Sequence, residues 1–173
     1  MDQGCVVSIN VGLKGDAVRG KRWHRHRADL LDIFVKALTH VSVDTIGMLV
    51  SEVGSVTDPY DDEDRNKFDH LFKEAFQIAG GPTGASEHNE IQICWAMGQA
   101  VETVMIFKSH VKVTMLESII LPESWRRVEV ALIQGATEHN EEVSMLIYNT
   151  HQPSSSKHPF KANKRIALCK HVL

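Results

Sequence analysis

The sequence predicts an α/β fold in which a mixed sheet with two helices is followed by antiparallel strands. Three observations carry this. Two apolar runs of strand length, CVVSINVG and TIGMLVSE, flank a stretch whose apolar residues recur at helical spacing. A second helical stretch closes on Gly80-Gly81-Pro82. Beyond Pro82, apolar segments of strand length alternate with Gly, His-Asn or Pro turns, and no helical pattern lies between them.

CVVSINVG (residues 5–12) is β-branched and closes on a glycine, so it reads as the first strand. In residues 27–38, Leu30, Leu31, Phe34, Val35 and Leu38 share one face of a cylinder, with Asp29, Asp32 and Lys36 elsewhere, which predicts an amphipathic helix. Residues 45–52 form a second strand, apolar on both sides and therefore covered on both. Strand, helix and strand in this order predict a parallel pair joined by a right-handed crossover.

The acidic turn DPYDDED suits the positive amino-terminal end of the next helix, whose Phe68, Leu71, Phe72, Ala75, Phe76 and Ala79 lie on one face. IQICWAMG, VETVMIFKSH, VKVTMLESIIL, WRRVEVALIQGA and EEVSMLIYNTH then read as a meander of antiparallel strands. In residues 161–173, Ile166, Leu168, Cys169 and Val172 predict a last helix.

With 173 residues, the chain is long enough for one domain with a real core and reads as a single unit over residues 1–173. Its formal charge of −3 argues against nucleic-acid binding through bulk charge, and KRWHRHR (residues 21–27) is its one basic patch. Cys5, Cys94 and Cys169 are odd in number and far apart, which points away from a disulfide framework or zinc ribbon and toward a reducing compartment. No signal peptide and no apolar stretch of membrane-spanning length is visible, so the expected location is intracellular, in cytoplasm or nucleus.

Five places could carry chemistry. Glu52 puts a carboxylate where a buried strand is expected to end, facing the crevice in which open α/β folds bind ligands; the competing reading is a solvated strand end. Asn10 precedes Gly12 on the first strand, where its amide would orient a phosphate oxygen or a ligand of a hard cation, or else cap its own turn. In NTHQPSS, His151 follows a strand and is suited to proton exchange near neutral pH. Arg25, within the basic cluster, and Arg165, on the last helix, would hold a phosphate or remain solvated. No P-loop, GxGxxG, HExxH or GxSxG motif occurs.

Taken in order, SINVG, a helix, LVSEVG, a second helix, antiparallel strands, then YNTHQPSS and a helix bearing Arg165 resemble the amino-terminal part of the endonuclease/exonuclease/phosphatase superfamily, the deoxyribonuclease I-like proteins. In that family the first strand ends in Asn, the second in a metal-binding Glu, and a later strand in N-x-H. Here Asn10, Glu52 and His151 match. The resemblance implies an incomplete four-layered α-β-β-α sandwich and hydrolysis of a phosphodiester or phosphomonoester dependent on Mg²⁺, or Mn²⁺ in its place. Glu52 would be the metal ligand, His151 and Asn10 catalytic residues, Arg25 and Arg165 phosphate contacts, and the substrate a phosphate ester, nucleic acid among the options.

Family members continue with a strand ending in D-x-N and finish on S-D-H, and this chain reaches Leu173 without either. The expectation is therefore a chain whose domain lacks its carboxyl-terminal part, exposes the inner face of its sheet and is inactive alone. A different expectation is a non-catalytic relic used for binding or assembly, retroelement-derived; a third is an unrelated α/β domain. The family reading requires Asn10, Glu52 and His151 to converge at one end of the sheets.

Overall fold

The computed structural model describes residues 5–13, 21–40, 45–55, 60–80, 90–96, 101–116, 119–120, 127–136 and 142–149. In chain order the elements are β1 (Cys5–Asn10), α1 (Lys21–Thr39), β2 (Thr45–Ser55), α2 (Asp62–Ala79), β3 (Ile91–Ala96), β4 (Val101–Lys108), β5 (Lys112–Met115), β6 (Ile119–Ile120), β7 (Arg127–Ala136) and β8 (Glu142–Asn149). The chain is thus α/β, with a mixed sheet, two helices and a set of antiparallel strands. His151, Arg165 and the helix expected over residues 161–173 lie outside the described residues. No described helix is long and apolar enough to cross a membrane.

The first sheet has the order β1-β2-β4-β3, with β1 parallel to β2 and the other pairs antiparallel. The second holds β5, β7 and β6, with β8 on the far side of β7. The expected meander is therefore divided between two sheets: β3 and β4 join the parallel pair, and the strands after them build a separate layer. The reason is that β4, with Val104 and Ile106 on one face and Met105 and Phe107 on the other, is apolar enough to be covered twice and takes the interior place beside β2.

Both helices pack on one face of the first sheet. Leu30, Phe34 and Leu38 of α1 and Phe68, Leu71, Phe72, Ala75 and Phe76 of α2 meet Met48, Val50, Val104 and Ile106 in one buried cluster. Helix α2 starts as its acidic turn predicts: Asp61 accepts from the Asp64 N–H at 2.9 Å, and Asp62, Glu63 and Asp64 occupy the first turn, where the helix dipole favours negative charge. Helix α1 begins earlier than its apolar spacing suggests, so KRWHRHR forms its opening turns and does not precede them. Trp23 accounts for the difference, because it packs edge-on against Phe68, 5.4 Å between centroids, and continues the apolar face through a charged stretch.

The opposite face of the first sheet does not stand open, contrary to the expectation of an unpartnered inner surface. Ile46, Leu49, Met105 and Phe107 interdigitate with Ala131 and Ile133 of β7 and with Val111, which closes a second apolar layer between the sheets. Gly47 marks how closely this layer is packed: a Cβ there would lie 2.8 Å from Phe107 Cε1 and 2.9 Å from the Ile106 carbonyl oxygen. Gly47→Ala is expected to lower stability by about 1–3 kcal/mol through overpacking. An unchanged urea midpoint would show that the Phe107 ring moves aside without cost.

Candidate functional site

At the carboxyl ends of β1 and β2 the regular ladder gives way to a polar end. Strand β2 does not stop at Glu52. It continues to Ser55 through an irregularity, since Val50 pairs with Val104 but the next pair is Gly54 with Glu102, so the chain between them bulges. Glu52 sits inside this bulge with φ at 57°, the one described non-glycine residue in the left-handed region. Such a backbone costs an L-residue about 1–2 kcal/mol.

Long-range hydrogen bonds hold it there. The Leu13 N–H donates to the Glu52 carbonyl at 2.8 Å and the Val11 N–H to the Ser51 carbonyl at 3.1 Å, so the parallel pairing with β1 runs on past Asn10. From the helix side, the buried Tyr60 hydroxyl donates to the Val53 carbonyl at 2.8 Å. A polar residue in a strained backbone, fixed from two directions within a bulge, is a candidate for a ligand site.

Across from Glu52, the Asn10 side-chain oxygen accepts from the Gly12 N–H at 3.0 Å, which makes it a turn-capping residue as one reading of the sequence holds. Gly12 also has positive φ, 58°, which glycine adopts without the cost another residue would meet. The point a Cβ would occupy on Gly12 lies 3.6 Å from Glu52 Oε2 and 4.0 Å from Asn10 Oδ1. A carboxylate oxygen and an amide oxygen thus lie near one point above Gly12, each at ordinary contact distance from it. A carboxylate and an amide oxygen are hard donors of the kind Mg²⁺ takes, since that ion keeps several waters and needs only one or two carboxylates from a protein. No group of three or more His, Cys, Asp or Glu capable of holding a metal is present among the described residues.

The second sheet reaches the same end. Asn149, the last residue of β8, is 4% exposed, and its amide Nδ2 donates to the Val104 carbonyl at 3.3 Å. Val104 belongs to the last regular β2–β4 pair before the bulge. Asn149 therefore ties the carboxyl end of β8 to β4 just where β2 departs from regularity. Glu129, also buried, faces Asn149 across the β7–β8 pair.

Of the residues singled out from the sequence, Asn10 and Glu52 are brought together. Arg25 is exposed on α1, and no described contact joins it to either of them. Three contributors escaped sequence reasoning: Gly12 as the open floor, Tyr60 as the clamp on the bulge, and Asn149 as the tie between sheets. The NTH pattern drew attention to His151, yet its asparagine carries the structural connection. Cys94, half-buried, has its thiol pushed up by burial, which keeps it protonated and suits a packing role better than nucleophilic chemistry. No family model matches the chain, and no match was found among curated proteins or solved structures.

Proposed function

We propose that the polar end formed by Asn10, Gly12 and Glu52 is the metal-holding part of a Mg²⁺-dependent phosphoesterase site of the endonuclease/exonuclease/phosphatase type, in a deoxyribonuclease I-like sandwich. The observation that carries the proposal is the convergence of Glu52 Oε2 and Asn10 Oδ1 on the open floor at Gly12, with Glu52 held in a strained backbone. In this reading the Glu52 carboxylate holds the cation, with Mn²⁺ an acceptable substitute. The Asn10 amide, its oxygen already accepting one N–H, orients a coordinated water or a phosphate oxygen. The bound metal supplies Lewis-acid stabilisation of charge on the phosphoryl oxygens.

His151, two residues along the chain from the Asn149 tie, is assigned proton exchange with the reacting phosphate ester. Arg25 and Arg165 are assigned weaker roles as cations for the substrate phosphate. A nucleic acid or another phosphodiester is the substrate class this chemistry serves. The second reading, a non-catalytic assembly module, draws on the exposed apolar residues of β8.

Mn²⁺ titration followed by electron paramagnetic resonance tests the metal assignment, because free Mn²⁺ loses its signal on binding. One ion per chain is expected, with affinity falling by at least about tenfold, 1.4 kcal/mol, in Glu52→Gln. Equal Mn²⁺ affinity in wild type and variant would overturn it. Plasmid nicking in Mg²⁺ then tests catalysis: nicking by the wild type that Glu52→Gln and His151→Ala both lose supports the enzyme, and nicking that both variants retain overturns the site assignment.

A further inference from the structure

The apolar layer between the two sheets gives way to polar residues on several strands at one level. Leu49 of β2, Met105 of β4, Ala131 of β7 and Ile147 of β8 belong to that layer. Side chains alternate along a strand, so the next inward positions toward the Asn10–Glu52 end are Ser51, Thr103, Glu129 and Asn149. Thr103 is 5% exposed and Glu129 6%. Glu129 faces Asn149 across the β7–β8 pair, and Asn149 reaches the Val104 carbonyl of the first sheet, which fixes this side of β7 and β8 as the inner one. On β1, Asn10 pairs with Ser51.

The bulge in β2 adds Glu52 to this level. Val50 and Val53, three residues apart, both pack in the cluster under the helices. Regular alternation would put Val53 on the opposite side, so the bulge turns both Ser51 and Glu52 toward the second sheet. Glu52 Oε2 and Asn10 Oδ1 accordingly lie near the same point above Gly12.

We infer that a divalent cation at this end is drawn by two carboxylates, one from each sheet: Glu52 as its ligand and Glu129 as a positioning residue whose charge acts from the inner face of β7. The inference rests on the reading of the Asn10–Glu52 end as metal-holding. Of the six polar residues at this level, Glu52 and Glu129 alone carry charge, and both are negative. Ser51 and Asn149 are engaged with backbone, the Ser51 hydroxyl donating to the Ile9 carbonyl at 3.4 Å and the Asn149 amide to that of Val104 at 3.3 Å. Two like charges turned toward one gap oppose each other, and a cation between the sheets relieves that cost. A carboxylate withdrawn from water is screened little, so Glu129 acts on an ion beyond contact distance. One or two protein carboxylates are also what Mg²⁺ takes.

The test is Mn²⁺ titration of the full chain by electron paramagnetic resonance, with circular dichroism as the check of folding. Glu129→Gln, which removes the charge and keeps the shape, should weaken Mn²⁺ at least about tenfold, as loss of a partner outside the ligand shell does. Glu129→Asp and Glu129→Asn repeat the comparison at a shorter length, and Asp should bind Mn²⁺ more tightly than Asn. Thr103→Val, a change at the same buried level without charge, should leave the affinity unchanged. Equal affinity in wild type and Glu129→Gln, with binding lost in Glu52→Gln, would overturn this inference and leave the metal assignment standing. A wild-type chain that binds no Mn²⁺ would overturn both. A chain that folds with neither Gln nor Asn at residue 129 would assign the carboxylate to the fold and likewise overturn the inference.

Discussion

Phe72→Ala is expected to cost about 3–5 kcal/mol. Phe72 is fully buried where three elements meet: its ring centroid lies 5.3 Å from Phe34 of α1, 5.9 Å from Phe68 on its own helix and 6.4 Å from Trp95 of β3. Alanine there removes the ring's burial and leaves a cavity between α1, α2 and the sheet. The neighbours cannot close it, because Trp95 is fixed from above by its indole N–H donating to Asp69 at 2.9 Å. Urea unfolding reads the effect directly. A loss below about 1.5 kcal/mol would mean that the aromatic cluster collapses around the gap. Against a total stability of about 5–15 kcal/mol for a domain, the expected loss removes a large share of the margin.

The second large effect separates strain from charge at Glu52. Glu52→Gly should release the left-handed backbone cost of about 1–2 kcal/mol, part of which is offset by the 0.5–1 kcal/mol of extra chain entropy glycine brings to the unfolded state. A net gain of about 0.5–1 kcal/mol in unfolding free energy is expected, together with loss of Mn²⁺ binding. Glu52→Gln retains the backbone and the side-chain size, so it should lose the metal without gaining stability. A position where the wild-type residue is the less stable choice and the better ligand is the signature of a functional site. Glu52→Gly that proves less stable than wild type would instead assign the side chain a structural role.

The helices were legible because their signals are local. The spacing of Leu30, Phe34 and Leu38 and of Phe68, Leu71, Phe72, Ala75 and Phe76 marks the buried faces, and the acidic turn before α2 marks its start, down to the Asp61 cap. Apolar run length located the strands for the same reason, though VKVTMLESIIL divides into β5 and β6. The opening turns of α1 were hidden, since only the contact of Trp23 with Phe68, a residue of another helix, makes that charged stretch amphipathic.

At the candidate site, residue types and order were enough to nominate Asn10 and Glu52, because an amide and a carboxylate in otherwise apolar strands stand out from their surroundings. What the linear chain settled was therefore its elements and the chemical character of two residues. Their convergence came from the fold: the parallel β1–β2 pairing places them side by side, and hydrogen bonds from Leu13 and Tyr60 turn Glu52 into its bulge. The division of the strands into two sheets and the tie from Asn149 to Val104 belong to the fold as well. The physical reason is range. Periodicity, caps and run length are interactions among neighbours in the chain, whereas strand partners, bulges and sheet-to-sheet contacts depend on groups that only the folded core brings within reach.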